Sequence, residues 1–81
     1  MIKDTFKKYG DNYFLMSVVS DRFHIYRREH LDGRLAGYEI MIPIMVGGEL
    51  CLPSSSFWGI YGWTCMTEVA VVKKINELLK K

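Results

Sequence analysis

Asp32-Gly33 lies between two apolar runs, and this dipeptide favours a tight type I′ hairpin because both positions accept positive φ. A two-residue loop there sets the pairing on both sides. It predicts Phe23 opposite Ile42, Ile25 opposite Ile40, Tyr26 opposite Glu39 and Arg27 opposite Tyr38, with Phe23, Ile25, Ile40 and Ile42 on one face. Ser20-Asp21 predicts a second tight turn between residues 13–19 and 22–29. That loop places Val18 opposite Phe23 and Met16 opposite Ile25, which adds Phe14, Met16 and Val18 to the same apolar face. The opposite face then carries Ser17, His24, Tyr26, Arg28, Glu39 and Met41, a mixed set expected of a sheet wetted on one side.

Further along, Gly47-Gly48 can close a hairpin onto a short strand over residues 49–52, with Pro43 favouring an edge or a bulge nearby. From Thr67 the apolar period becomes helical. Thr67 is the predicted N-cap, Glu68 lies in the first turn, and Val71, Val72, Ile75, Leu78 and Leu79 form the stripe expected to cover the sheet. Residues 1–12 read as frayed or as a short helical turn ended by Gly10-Asp11-Asn12. The expected fold is α+β: a three- or four-stranded antiparallel β-meander with a C-terminal amphipathic helix packed on one face.

At 81 residues the chain fills one core, so residues 1–81 are read as a single domain. A chain of this size buries only about 60–65% of the surface its unfolded form exposes, which leaves homo-oligomerisation open. With 49% hydrophobic and 25% charged residues it belongs with globular rather than disordered proteins. A net charge of +2 is no concentrated basic excess and points to neither a nucleic acid nor a membrane. Cys51 and Cys65 lack the number and spacing of a disulfide framework or a zinc site and read as reduced thiols. The apolar runs at residues 13–20 and 38–46 fall well short of the roughly 20 residues of a membrane span, and no small-residue cleavage site follows the first. These features lead us to expect a cytoplasmic protein with no metal and no other cofactor.

Few side chains are placed for chemistry. His24, Tyr26 and Glu39 can meet on the open face, although polar residues must occupy such a face whatever the protein does. His30 reads as a turn residue. Cys65 precedes the helix, but no His is tied to it, and a small core-filling Cys is the simpler reading. No catalytic residue and no metal ligand is therefore assigned. Arg22, His24, Tyr26 and Arg28 line one strand face with an aromatic between basic residues, which is the alternative reading as a small nucleic-acid-binding module; Glu29 and Glu39 dilute it.

The least regular segment holds Phe57, Trp58, Tyr61 and Trp63 within seven residues, together with Gly59 and Gly62. It has two readings. Trp58, Tyr61 and Trp63 either fold back as a lid that completes the core or stay exposed as rigid anchors for a partner.

Tyr26-Arg27-Arg28-Glu29, Asp32-Gly33-Arg34, Gly37-Tyr38-Glu39, Pro53-Ser54-Ser55, Trp58-Gly59 and Tyr61-Gly62-Trp63-Thr64 form an ensemble that carries a likeness covering roughly residues 23 to 80. As an ensemble it resembles a loose group of small proteins encoded by bacteriophages and mobile elements. The resemblance implies a setting, a host bacterial cytoplasm, and no catalytic residues. Together with the absence of a catalytic constellation it leads us to expect a non-catalytic accessory protein that binds a host macromolecule, a protein before a nucleic acid.

Overall fold

Alternation along the chain produces strands, and tight turns stack them into a meander. A computed structural model describes residues 2–80. Within them, strands β1 (Thr5–Lys8), β2 (Asp11–Val19), β3 (Phe23–His30), β4 (Leu35–Met41) and β7 (Gly62–Cys65) form one antiparallel sheet in the order β1-β2-β3-β4-β7. Strands β5 (Ile44–Val46) and β6 (Glu49–Cys51) form a separate two-stranded ribbon, and helix α1 (Glu68–Leu79) ends the described chain. This is the α+β meander with a C-terminal helix that the sequence predicts. The hairpin at Gly47-Gly48 forms, but its second strand stands apart from the main sheet.

The central hairpin has the predicted core register, with Ile25 opposite Ile40, Tyr26 opposite Glu39 and Arg27 opposite Tyr38. Its turn differs from the type I′ expectation. The Gly33 N–H donates to His30 O at 2.9 Å and the His30 N–H to Arg34 O at 2.8 Å, so the loop holds three residues. Of Asp32 and Gly33 only Gly33 has positive φ, at 89°. A bulge between the Arg28–Gly37 and Glu29–Leu35 pairs shifts the ladder back by one, so the offset introduced at the turn is cancelled before the core begins. Gly37 follows that bulge at φ 144°, where a Cβ would lie 3.1 Å from Cys65 O.

The first hairpin corrects the expected register. Ser20 and Asp21 do take positive φ, and the Arg22 N–H closes the turn on Val19 O at 3.1 Å, but the ladder opens with Val19 opposite Phe23. Val18 therefore faces His24 on the other side of the sheet. A bulge at Met16 restores the predicted pairing from Leu15 downward. Phe14, Met16 and Val18, all expected in the core, are 38%, 47% and 43% exposed. Phe14 shares the face of Ile25 through its pairing with Arg27, but it lies on β2, beyond the helix, which packs chiefly on β4 and β7.

Thr67 caps α1 as predicted, its Oγ1 accepting from the Ala70 N–H at 3.1 Å. Val71 and Ile75 are buried against Phe23, Ile25, Tyr38, Ile40 and Cys65, with Ala70, Leu78, Trp63, Val19 and Ile42 around them. Val72 and Leu79, assigned to the same stripe, face outward. The Tyr38 hydroxyl donates to Glu68 Oε1 at 3.3 Å and ties the sheet to the helix start.

The expectation of a wetted second face is overturned. Tyr13, Tyr26 and Met41 form a second buried cluster there, with Phe6, Leu15, Leu52 and Trp58 packed on it. Two segments supply the cover. Residues 3–9, expected as a frayed or helical start, contribute β1, which turns into β2 at Tyr9-Gly10 with positive φ at both residues. The irregular aromatic segment contributes Trp58 and then β7, whose Trp63 and Cys65 point to the helix side while Gly62 and Thr64 point to the second face.

Phe23→Ala should cost about 3–5 kcal/mol of unfolding free energy and Met16→Ala less than about 1 kcal/mol, as urea unfolding would measure. A two-residue loop at Ser20-Asp21 would instead make both of them core substitutions with comparably large losses.

Candidate functional site

The second face is where polar and aromatic residues converge. Pairing of β1 with β2 sets Phe6 beside Tyr13, and their rings stack at 4.6 Å with 9° between planes. Phe6 also meets the Tyr26 ring edge-on at 5.2 Å, and the Tyr26 hydroxyl donates to Lys3 O at 2.8 Å. Across the sheet, the chain leaving β6 passes through Leu52 and Pro53 and a 3-10 turn at Ser55–Phe57 to bring Trp58 over β7. Only glycine fits beneath it. A Cβ on Gly62 would lie 2.6 Å from the Trp58 ring.

Between these two covers runs a cleft of about 340 Å³. Phe6, Tyr9 and Tyr13 form one wall and Leu52, Pro53 and Trp58 the other. Lys8, Arg28, Glu39, Met41 and Thr64 complete its lining. Its size lies at the lower end of the range for small-ligand sites, and its mix of aromatic walls with a few polar groups is typical of them.

A chain of hydrogen bonds crosses the floor. Trp58 Nε1 donates to Thr64 Oγ1 at 3.0 Å, and Thr64 Oγ1 donates to Glu39 Oε2 at 2.7 Å. Glu39 is 1% exposed, and its other oxygen accepts from Arg28 Nη1 at 3.3 Å. Arg28 Nε donates to Asp11 Oδ2 at 2.6 Å, while Asp11 Oδ1 lies 3.1 Å from His30 Nδ1. The Arg28 guanidinium stands 5.3 Å from the centre of the Tyr13 ring. Burial pushes the Glu39 carboxyl above its ordinary 4.5, against the pull of the Thr64 and Arg28 hydrogen bonds. Asp11 moves the other way, because the Arg28 hydrogen bond outweighs its burial.

The sequence candidates are dispersed over the fold. Trp58 forms a cleft wall, Trp63 packs against the helix-side core on the opposite face, and Tyr61 is 37% exposed with its ring edge-on to Phe57 at 5.8 Å. They share no single surface. Arg22 lies over the Phe23 ring at 4.9 Å in the β2–β3 turn, far in register from Arg28. His24 is half-buried with its Nδ1 unpartnered, and burial holds its pKa below 6.5. Tyr26 has no exposed surface, so no base can stack on its ring while Phe6 covers it, and Arg28 gives its Nε and Nη1 to two carboxylates. The basic-aromatic platform of the nucleic-acid reading does not assemble on this face.

Nor does the His24/Tyr26/Glu39 trio, since the hydroxyl goes to Lys3 O and the carboxylate to Thr64 and Arg28. Cys65 is buried, and burial raises its thiol pKa, which keeps it protonated. Among the described residues no group of three His, Cys, Asp or Glu side chains could hold a metal, and no helix is long and apolar enough to cross a membrane.

Sequence reasoning missed Phe6, Tyr9, Tyr13 and Asp11. The available signal was Gly10, a turn-prone residue just ahead of the apolar run from Tyr13, which could have marked a first hairpin; residues 2–9 before it, with apolar positions only at Ile2, Phe6 and Tyr9, show no strand alternation. Compared with protein-family models, with curated proteins and with solved structures, the chain matches none.

The raised Glu39 pKa has a signed consequence. Above pH 4.5 the unfolded chain releases the Glu39 proton before the folded one does, so this residue's contribution to stability is present below that value and lost as pH rises through the folded pKa. Urea unfolding followed from pH 4.5 toward neutrality should show a less negative slope in Glu39→Gln than in the wild type; equal slopes would contradict the assignment.

Proposed function

We propose that this protein is a non-catalytic binding domain that recognises a partner protein by taking one of its apolar side chains into the cleft of the second sheet face. The observation that carries this reading is the cleft itself: aromatic and aliphatic walls on both sides, over a floor whose acids and bases are bonded to one another and leave no nucleophile or base poised to react. A large rigid ring such as that of Trp58, which is only partly buried, supplies contact area at low entropic cost, as binding hot spots do. An accessory role toward a host protein, the setting implied by the resemblance to phage and mobile-element proteins, accords with such a domain.

Peptides selected from a random library on the immobilised protein test this. Leu52→Arg, which fills the cleft from one wall, should weaken them at least about tenfold, while Val72→Arg on the outward helix face should leave their affinity unchanged. Failure to select any peptide, or peptides indifferent to Leu52→Arg, would overturn the reading.

A further inference from the structure

Resting on the cleft as the recognition site, the chemistry of its open groups narrows what enters it. Glu39, the acidic side chain that lines the cleft, and Asp11, which holds Arg28, are already used. The Glu39 oxygens accept from Thr64 and Arg28, those of Asp11 meet Arg28 and His30, and their side chains are only 2% and 10% exposed. They neutralise the protein's own cation and present almost no negative surface to a ligand.

The cationic groups are in the opposite condition. Arg28 uses Nε and Nη1, and its Nη2 donates to no group among the described residues. The single buried, unpartnered side-chain nitrogen or oxygen among those residues is His24 Nδ1, so Nη2 reaches solvent, and the residue carrying it lines the cleft. Lys8 also lines the cleft and has no carboxylate partner among the described residues; its Nζ lies 5.3 Å from the centre of the Tyr9 ring. The Arg28 guanidinium lies 6.0 Å from the same ring, so two cations attend one aromatic side chain at one end of the cleft. A cationic ligand would find these ring faces already engaged and would meet like charge. An anion would meet donors.

We infer that the cleft takes the C-terminal residue of a partner chain, its apolar side chain between the two walls, against Trp58 and Leu52, and its carboxylate on Arg28 and Lys8. A carboxylate can accept from the one open guanidinium nitrogen, Arg28 Nη2, and from the Lys8 ammonium, and capture of chain termini is a known recognition mode. The C-terminus is favoured over an internal Asp or Glu for a steric reason. About 340 Å³ accommodates little more than one large residue, and a C-terminal residue combines the apolar side chain and the charge with only one chain connection to lead out of the mouth.

The test uses pentapeptides of glycine and serine ending in leucine, phenylalanine or tryptophan, each as the free acid and as the C-terminal amide, titrated into the full chain by calorimetry. At least one free acid should bind, its amide at least about tenfold more weakly. Lys8→Gln, at an exposed residue of β1, should weaken the free acid severalfold and leave the amide unaffected. Arg28→Lys provides the second arm with a positive charge kept near Asp11, and should also weaken the free acid provided circular dichroism matches the wild type. Equal affinity of acid and amide, or no binding by any free acid, overturns the inference. Library peptides that bind in a Leu52-dependent way irrespective of amidation would overturn this inference while leaving the cleft as the binding site; peptides indifferent to Leu52→Arg would remove the cleft reading as well.

Discussion

The carboxylate of Glu39 lies in the middle of a sheet face with almost no solvent contact, and it stays there because Thr64 and Arg28 each give it a hydrogen bond. A buried charge without partners is strongly destabilising, so everything that positions those two donors becomes a condition of the fold. Thr64 is placed by β7, which exists only because the chain returns to the edge of β4 after its excursion through the ribbon. Arg28 is aimed by Asp11, and Asp11 sits at the start of β2, directly after the turn that folds β1 back. One polar line thus ties together strands that are distant in the sequence.

That line follows from a geometrical constraint. A five-stranded sheet has two faces, and a 12-residue helix of about 18 Å covers part of one. The second face is covered instead by side chains carried from both directions: Phe6 from β1, and Leu52 and Trp58 from the irregular segment before β7. These covers meet imperfectly over the sheet centre. The cleft is the gap between them, which is why its walls are aromatic and its floor is the polar line.

Much of this was legible in the residues. The pairing of Ile25 with Ile40 and Tyr26 with Glu39, the Gly47-Gly48 hairpin and the Thr67 cap follow from turn chemistry and period. The bulges at Met16 and after Arg28 were not legible, because an extra residue in a strand leaves no local signature and is fixed by the packing of its neighbours. Missing the first of them assigned Val18 to the wrong face. The aromatic segment hid β7, since four residues of Gly-Trp-Thr-Cys are too short to show alternation. The candidate site was hidden for a related reason: Tyr26 and Glu39 look like surface residues by type, and only the arrival of β1 and Trp58 above them makes them interior.

The architecture requires the second face to be closed over Tyr26 and Glu39. Nuclear Overhauser contacts measure that closure directly in solution. The Phe6 ring protons should show contacts to both the Tyr13 and Tyr26 rings, and the Trp58 ring protons should show contacts to the Gly62 α-protons. A Tyr26 ring without these contacts to Phe6, broadened by a paramagnetic agent in the solvent, would contradict the account.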